Sequence, residues 1–447
     1  MLANLVRTFW VSRSSLAAVL QTLLANVLIL GINLVTGVIT ARVLSVTGRG
    51  ELAAIILWPQ FLAFALTLGL PSALLYNLKR YPERAPLVFS SALILGMGMS
   101  FLATLVGILL IPHWLDEYPP EVVRFAQWNM LFAPLVMLNL LFASALQARE
   151  EFAFYNTARY LPPLLTLLAL GLLTLLQDLT PFSAALSYGL SSVPIFFWML
   201  ARLWRYYRPV WRGLSSLLKR HLSYGLRSYG IDLSGTLARQ LDQALVVGLL
   251  SPAMMGLYVV ALSSARILEV FPTAMVMVLF PKASGRPVEE ILVLTGRATR
   301  VGTAMILVAA VGLSLLGPWI LSLLYGQEYQ GAVTVFRLLV FEVMLGGTAF
   351  VLAQAFMAMG RPGILALLQG VGLGLAVLLL LVLVPRYGLE GAGIALLIST
   401  AARLGLVIVS FPLILKVPVP TPWPTKADFT TLLESKRSAQ RSKDRDL

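Results

Sequence analysis

LARQLDQALVVGLL, residues 237–250, places Arg239 and Asp242 inside a longer apolar stretch of the chain. An Arg or Asp at the centre of a membrane-spanning helix is unfavourable by about 2.5–3.5 kcal/mol, so such residues usually face a bundle interior or a water-filled cavity. We therefore expect a membrane helix whose charged face marks a transport or binding pathway.

The overall composition is that of a multi-pass membrane protein. Hydrophobic residues make up 58% of the 447-residue chain and charged residues only 12%, whereas soluble domains contain about 45–50% and about 25%. The net charge of +14 comes from Lys and Arg that gather in short loops between apolar segments, as the positive-inside rule describes. We therefore expect a lipid bilayer as the surroundings and no nucleic-acid partner.

The chain contains no Cys and two His, His113 and His221. The lack of Cys excludes disulfides, thiolate metal sites and Cys nucleophiles. Both His lie near segment ends, without the neighbouring ligands that a zinc site requires. We expect both to be exposed loop residues, and we expect no metal and no cofactor.

A membrane-spanning helix needs about 20 mostly apolar residues. Twelve segments meet this requirement: 16–42, 51–78, 86–111, 121–147, 153–176, 181–204, 223–249, 254–281, 291–316, 331–359, 362–384 and 389–415. Turn-forming stretches separate them, for example SVTGRG (45–50) and VPRYGLEG (384–391). The predicted fold class is an all-α polytopic membrane protein with about 12 transmembrane helices.

Basic residues give the predicted orientation. Lys and Arg concentrate in and beside the loops after the even-numbered segments, which predicts that those loops and both termini are cytoplasmic. The predicted regions are an N-terminal cytoplasmic segment (1–15), a six-helix lobe (16–204), an amphipathic cytoplasmic linker (205–222), a second six-helix lobe (223–416) and a basic, disordered cytoplasmic tail (417–447).

The two halves of the chain are weakly repeated. A shift of 206 residues aligns Ser45 with Ser251 and Gly50 with Gly256. Because six spans per half is an even number, both halves would have the same orientation and be related by an axis along the membrane normal. This predicts a path between the two lobes.

The repeat register aligns neutral polar residues of the first half with charged residues of the second: Asn26 with Asp232, Asn33 with Arg239, and Gln60 with Arg266. Asp232, Arg239 and Asp242 follow at helical spacing and share one face of their helix. Arg266 and Glu269 form a second intramembrane pair at i,i+3. All of these residues are candidates for the lining of the predicted path.

Two interpretations of Arg239 and Arg266 stay open. In the first, their planar guanidinium groups contact a phosphate, and Asp242 and Glu269 orient them or bind a coupling cation. In the second, Arg239 with Asp242 and Arg266 with Glu269 are neutralising pairs that let each helix enter the membrane. Arg49, in TGRGE, is expected to be an exposed residue beside a turn.

Four stretches carry a family resemblance: residues 39–80, residues 238–284, LLYGQEYQGA (323–332) and YGLEGAGIALLIST (387–400). Together they resemble the polysaccharide-exporter branch, which includes O-antigen flippases, of the multidrug/oligosaccharidyl-lipid/polysaccharide (MOP) flippase superfamily. The resemblance covers residues 16–415 and implies a fold like that of the multidrug and toxin exporters (MATE). Its two six-helix lobes would enclose a central cavity.

The resemblance also implies a function and a location. Members of this branch move polyprenyl-pyrophosphate-linked oligosaccharides across the bacterial cytoplasmic membrane by alternating access, for surface polysaccharide biosynthesis. Coupling to a proton gradient, a sodium gradient or the membrane potential would drive the movement, and polysaccharide polymerases and glycosyltransferases would be partners. Arginines would contact the pyrophosphate, which adds Arg227 to the candidate residues.

Alternative functions remain at this point. A cation-coupled multidrug or toxin exporter would need a carboxylate site, for which Asp232, Asp242, Glu269 and Glu342 are candidates. A flippase for the peptidoglycan precursor is disfavoured by twelve predicted spans, because fourteen are typical of those proteins. A membrane enzyme is not expected, since no external loop is long enough to hold an acceptor site.

Overall fold

A computed structural model of the chain describes residues 15–232 and 238–420, which are helical nearly throughout and contain no β-strand. Their α-helices are α1 (Ser15–Ala65), α2 (Leu70–Arg80), α3 (Ala85–Trp114), α4 (Pro120–Asn129), α5 (Ala133–Ala148), α6 (Phe152–Leu175), α7 (Pro181–Leu190), α8 (Val193–Tyr207), α9 (Ser215–Asp232), α10 (Ala238–Val247), α11 (Pro252–Ala265), α12 (Val270–Ala283), α13 (Val288–Tyr325), α14 (Val333–Ala358) and α15 (Pro362–Ser410). The predicted all-α class is confirmed.

Nine stretches of the described residues are long and apolar enough to cross a membrane. Two of them, Leu24–Ala65 and Pro362–Leu415, each contain a kink and correspond to two predicted segments. The seventh predicted segment falls on α9 and α10, and residues 233–237 between these helices lie outside the described residues. The helices therefore follow the predicted order of membrane segments.

In place of the turn predicted at SVTGRG, helix α1 has a kink at one residue, Ser45. Ser45 has φ 64° and ψ 176°, a conformation that costs a residue other than Gly about 1–3 kcal/mol. The Tyr329 hydroxyl lies 3.1 Å from the carbonyl oxygens of both Ala41 and Ser45 and donates to them. These contacts help to offset the strain, and the residues after Ser45 return at once to the helix.

Proline marks the places where predicted spans break into two helices. Pro71, Pro134 and Pro194 each occupy the first turn of the helix that follows the break, in α2, α5 and α8. The first turn tolerates proline because its backbone N–H groups have no partner within the helix. These breaks turn straight apolar segments into pairs of shorter helices.

The described residues form two compact units. The first comprises residues within 1–263, 321–332 and 380–389, and the second comprises residues within 264–320, 333–379 and 390–447. In the first unit, Phe89, Leu141 and Phe142 are fully buried. In the second unit, Phe356 and Phe411 are fully buried and meet edge to face, with ring centroids 4.9 Å apart.

Helix α3 shows how a membrane helix reverses the pattern of a soluble one. Its small residues Ala103 and Gly107 face the protein interior, whereas Phe101 is 70% exposed and Leu109 is 61% exposed. Small residues let membrane helices approach closely, and large apolar side chains make favourable contacts with lipid tails. The exposed apolar surface is therefore the surface expected of a membrane protein.

Two glycines bring α1 and α11 into backbone contact within the first unit. A Cβ atom at Gly50 would lie 1.8 Å from the Pro252 carbonyl oxygen, and one at Gly256 would lie 1.9 Å from the Val46 carbonyl oxygen. Neither position has room for a side chain. Gly50 and Gly256 are the pair that the repeat register aligns.

Candidate functional site

Polar residues of α1 contact polar residues of α6 inside the first unit. The Arg159 Nη2 group donates to Asn26 Oδ1 at 2.9 Å. One turn earlier in α6, Asn156 Nδ2 donates to Thr22 Oγ1 at 3.2 Å. Spacings of three residues in α6 and four in α1 keep both contacts on the facing sides of the helices. The predicted site residue Asn26 therefore belongs to a polar contact between two apolar helices.

Arg159 contacts neutral groups at this position. Its side chain is half-buried, and its guanidinium carbon lies 5.5 Å from the centre of the Tyr155 ring. Within the described ranges its one hydrogen-bond acceptor is the neutral amide of Asn26, and it has no carboxylate partner. Since a guanidinium carries five N–H donors, the group can still bind an anion.

The other candidates on α1 lie apart from this contact. Asn33 and Gln60 are both exposed, and the structure shows no hydrogen bond that joins either of them to Arg159 or Asn26. Arg227, on α9, is also exposed. None of the three has a hydrogen bond or ion pair with another described residue.

Asp242, on α10, is 8% exposed, and its Oδ2 atom accepts a hydrogen bond from the Tyr258 hydroxyl at 3.2 Å. The side chains of Asp232 and Arg239 lie outside the described part of the structure. The pairing of Arg239 with Asp242 therefore stays a prediction.

Arg266 and Glu269 occupy a single 3-10 turn between α11 and α12. The Arg266 Nε atom lies 3.9 Å from Glu269 Oε1, and the two side chains are 31% and 38% exposed. The i,i+3 ion pair expected from the sequence is present. The separation of 3.9 Å between its charged atoms is too long for a hydrogen bond.

Arg49 is buried, and the expectation that it is exposed beside a turn is wrong. The residue is 7% exposed, and its Nε and Nη1 atoms have no hydrogen-bond partner among the described residues. The reason is the kink at Ser45, which takes up only one residue and leaves Arg49 inside helix α1. The Gly and Arg residues of TGRGE predicted a loop, but the backbone continues as a helix.

His221 is fully buried, so the expectation of an exposed loop histidine is wrong for this residue. It lies on α9, which runs without interruption through residues 215–232. Its Nδ1 atom is 3.0 Å from the Leu217 carbonyl oxygen and 3.2 Å from the Ser91 hydroxyl. Burial lowers the pKa of His221. His113 is exposed, as expected, but it lies in the last turn of α3 and not in a loop.

A polar cluster inside the second unit was only partly visible in the sequence. The Thr400 hydroxyl donates to Glu342 Oε1 at 2.7 Å, and Arg403 Nη1 donates to Gln369 Oε1 at 3.1 Å. A Cβ atom placed on Gly346 would lie 3.4 Å from Arg403 Nη2 and 3.7 Å from Glu342 Oε1. Glu342 and Arg403 are therefore close neighbours. The signal for Arg403 was a single basic residue within the last apolar segment.

No group of three or more His, Cys, Asp and Glu in the described ranges is arranged to hold a metal ion. The chemistry that these residues can offer is hydrogen bonding and charge inside apolar helices. Together with the exposed apolar surface, this defines a multi-pass membrane protein with charged groups placed inside or beside its spans.

The family comparison identifies the chain more closely. The model of the family described as "Polysaccharide biosynthesis protein" matches residues 15–285. The chain belongs to this family. No curated protein matches the sequence.

Solved structures with the same fold come from the MOP superfamily. One is a lipid II flippase, MurJ, in an inward closed conformation, with 14% identity, a TM-score of 0.74, and coverage of 89% of this chain and 87% of that chain. Another is a multidrug resistance MATE transporter in an inward-facing conformation, with 18% identity, a TM-score of 0.67, and coverage of 87% and 93%. A third is a MOP superfamily transporter from Pyrococcus furiosus, with 18% identity, a TM-score of 0.60, and coverage of 88% and 94%. The MATE-like fold inferred from the sequence is confirmed.

Proposed function

We propose that the protein is a flippase that moves a polyprenyl-pyrophosphate-linked oligosaccharide across the bacterial cytoplasmic membrane by alternating access. The observation that carries the proposal is the contact between Arg159 and Asn26, a charged group without a carboxylate partner in the described ranges. Membership of the polysaccharide biosynthesis family supports the choice of a sugar-bearing substrate. The protein itself carries out no covalent chemistry in this account.

The position of Arg159 suits a lipid headgroup that starts in the inner leaflet. Arg159 lies two turns into α6, and α6 begins after the loop that holds Arg149. By the distribution of basic loops, we assign this end of α6 to the cytoplasmic side, as we do both termini. A pyrophosphate entering from that side would meet Arg159 before the centre of the membrane.

Arginine is well matched to a pyrophosphate. Its planar fork can donate two parallel hydrogen bonds to phosphate oxygens, and it stays protonated at every physiological pH. Asn26 holds one edge of the guanidinium at 2.9 Å and adds no charge of its own. The positive charge is therefore oriented but not neutralised, which is the arrangement that an anionic cargo requires.

The wider organisation belongs to the same proposal. Two six-helix lobes, 16–204 and 223–416, would rock about a central cavity lined by the remaining candidates Asn33, Gln60, Arg227, Asp232, Arg239, Asp242, Arg266 and Glu269. The match between Gly50 and Gly256 supports the underlying repeat. A proton gradient, a sodium gradient or the membrane potential would supply the energy. Glycosyltransferases would act before transport, and a polymerase would act after it.

Reconstitution into lipid vesicles tests the proposal. Vesicles would be loaded in separate experiments with a fluorescent polyprenyl-pyrophosphate oligosaccharide, with the lipid-linked peptidoglycan precursor and with a cationic dye. The proposal expects the oligosaccharide to cross fastest. Transfer of the peptidoglycan precursor alone, or of the dye alone under an ion gradient, would contradict it.

A second candidate function is cation-coupled export of amphipathic drugs. The specific observation in its favour is Glu342, a carboxylate inside an apolar helix, whose Oε1 atom accepts a hydrogen bond from Thr400 at 2.7 Å. A coupling carboxylate must bind and release a proton or sodium ion during transport. The Glu342→Gln variant should therefore abolish dye export if this function is correct. It should leave oligosaccharide transfer largely intact if the first proposal is correct.

A further inference from the structure

Helices α2 and α9 line an open hollow of about 440 Å³ in the first unit. Its lining includes Asn77 from α2 and Lys219, Arg220, Ser223 and Arg227 from α9. Residues 219, 220, 223 and 227 lie on one side of α9 because they follow at spacings of three, four and seven. The opposite side of α9 packs on the protein through Leu217 and His221, which are 4% and 0% exposed. The basic side is therefore held in a fixed position.

The hollow has the electrostatic character of an anion site. Its lining contains three cationic side chains and no carboxylate. Lys219 and Arg220 lie in the second turn of α9, and the first turn, which contributes Ser216 to the lining, contains no acidic residue. A bound anion would relieve the repulsion among the three cations and would interact favourably with the end of the helix.

Asn77 gives an independent indication of a ligand. Its side chain is 0% exposed, yet both Nδ2 and Oδ1 lack a hydrogen-bond partner within the described residues. Buried amide groups in proteins are nearly always hydrogen-bonded, because a buried donor or acceptor without a partner is unfavourable. Since Asn77 lines the hollow, a ligand there could accept a hydrogen bond from Nδ2 and donate one from a hydroxyl to Oδ1.

Aromatic residues hold the walls of the hollow in place. The rings of Tyr76 and Tyr224 stack with centroids 4.4 Å apart, which ties α2 to α9. The Arg220 guanidinium lies 4.6 Å above the centre of the Tyr81 ring. A guanidinium stacked on a ring keeps its N–H groups directed outward in its own plane, where they can meet phosphate oxygens. The site is therefore organised before a ligand arrives.

We propose that this hollow binds the phosphate group of an anionic ligand. Three cations, a buried amide without a partner and a helix N-terminus match the charge and the several acceptor oxygens of a phosphate. The phosphate could belong to a membrane lipid or to a soluble phosphate compound. This site is separate from the Arg159–Asn26 contact and shares only Arg227 with the residues proposed for the transport path. Its ligand does not depend on which cargo the protein transports.

Binding to the purified full-length chain tests the site. Calorimetric titrations would use inorganic pyrophosphate in one arm and dioctanoyl phosphatidic acid in detergent in the other. We expect the Arg227→Gln and Lys219→Gln variants to bind about tenfold more weakly than the wild type. The matched control is Arg212→Gln, which removes one exposed cation from the same linker but outside the hollow. It should bind within about twofold of the wild type.

The outcomes separate the two sources of phosphate. Binding of both probes, weakened by the hollow variants, supports a site that accepts soluble phosphate, and binding of the lipid alone supports a membrane headgroup. The proposal is overturned if neither probe binds, or if the hollow variants bind as tightly as Arg212→Gln. The Asn77→Asp variant adds a carboxylate to the hollow and should abolish binding at an unchanged unfolding temperature. Because no transport is measured, failure here leaves the flippase proposal standing, and the reverse also holds.

Discussion

Arg159 and Arg403 are two arginines within apolar helices, and their surroundings differ. Arg159, in the first unit, donates to the neutral amide of Asn26 and has no carboxylate partner in the described ranges. Arg403, in the second unit, donates to Gln369 and is a close neighbour of Glu342, whose Oε1 atom accepts from Thr400. The positive charge of Arg159 is therefore not balanced by a described carboxylate, whereas that of Arg403 is balanced by Glu342.

The difference indicates two roles for intramembrane charge. A buried cation with a carboxylate neighbour can be structural, because removal of one member leaves the other uncompensated in a low-dielectric environment. A cation held by a neutral group keeps its electrostatic attraction for a mobile anion. The sequence left both roles open for Arg239 and Arg266. The structure shows the two kinds of surroundings at Arg159, which donates to a neutral amide, and at Arg403, which lies near a carboxylate.

The largest effect is expected at Arg403. The Arg403→Leu variant should lose about 3–5 kcal/mol of stability, because it leaves the Glu342 charge without its nearby cation. The measurement is the free energy of unfolding in detergent, followed by tryptophan fluorescence. Adding Glu342→Gln to the same chain should recover most of the loss. A double variant as unstable as the single one would show that the two residues are not coupled.

A substitution in the first unit that adds only a methyl group should cost less stability than Arg403→Leu. Gly50→Ala would place a methyl group 1.8 Å from the Pro252 carbonyl oxygen. Overpacking of this kind costs about 1–3 kcal/mol, so the unfolding temperature should fall by several degrees. Gly31→Ala is the control, since a Cβ atom there would have no neighbour within 4 Å among the described residues outside its own helix turn. Equal stability of the two variants would disprove the backbone contact between α1 and α11.

Arg159 should show the opposite behaviour to Arg403. The Arg159→Gln variant is expected to reduce glycolipid flipping at least tenfold, equivalent to about 1.4 kcal/mol, with little change in unfolding temperature. Arg159→Lys should be intermediate, because it keeps the charge but loses the planar fork. Arg205→Gln removes an exposed cation elsewhere in the same unit and should leave flipping unchanged. A loss of stability equal to that of Arg403→Leu would assign Arg159 a structural role instead.

The smallest effect is a pH dependence of stability at His221. In the folded protein, burial lowers the pKa of His221 below its usual value of 6.5. The stability that neutral His221 contributes is fully present above about pH 6.5. It is lost as the pH falls through the folded pKa, because the unfolded chain binds the proton first. Unfolding temperatures measured between about pH 8 and pH 5 should fall less steeply for His221→Gln than for the wild type. Identical slopes would contradict this account of His221.

Local features of the sequence were enough to predict the helices. Runs of about 20 apolar residues and the Gly and Pro between them are properties of neighbouring residues, and the observed helices follow the same order. The register that pairs Gly50 with Gly256 was also visible, because a close backbone approach demands glycine at both positions. The division into two six-helix lobes stays a prediction.

Features that depend on distant residues were not predicted. Arg49 was expected in a turn, but the kink at Ser45 needs only one residue because Tyr329, far along the chain, bonds to the Ser45 and Ala41 carbonyls. Arg159 was not among the predicted site residues, because its partner Asn26 is 133 residues away. Hydrophobic patterning cannot reveal such pairings, since it describes one helix at a time.

The proposed function requires that Arg159 offer its charge to a pyrophosphate. The most direct measurement compares initial flipping rates of wild type and Arg159→Gln in vesicles for two glycolipids with the same sugar and polyprenyl chain. One glycolipid carries a pyrophosphate and the other a monophosphate. We predict that the substitution slows the pyrophosphate-linked lipid at least tenfold and the monophosphate-linked lipid by a smaller factor, because fewer anionic oxygens meet the guanidinium. Equal slowing of both lipids, or no slowing of either, would contradict the account.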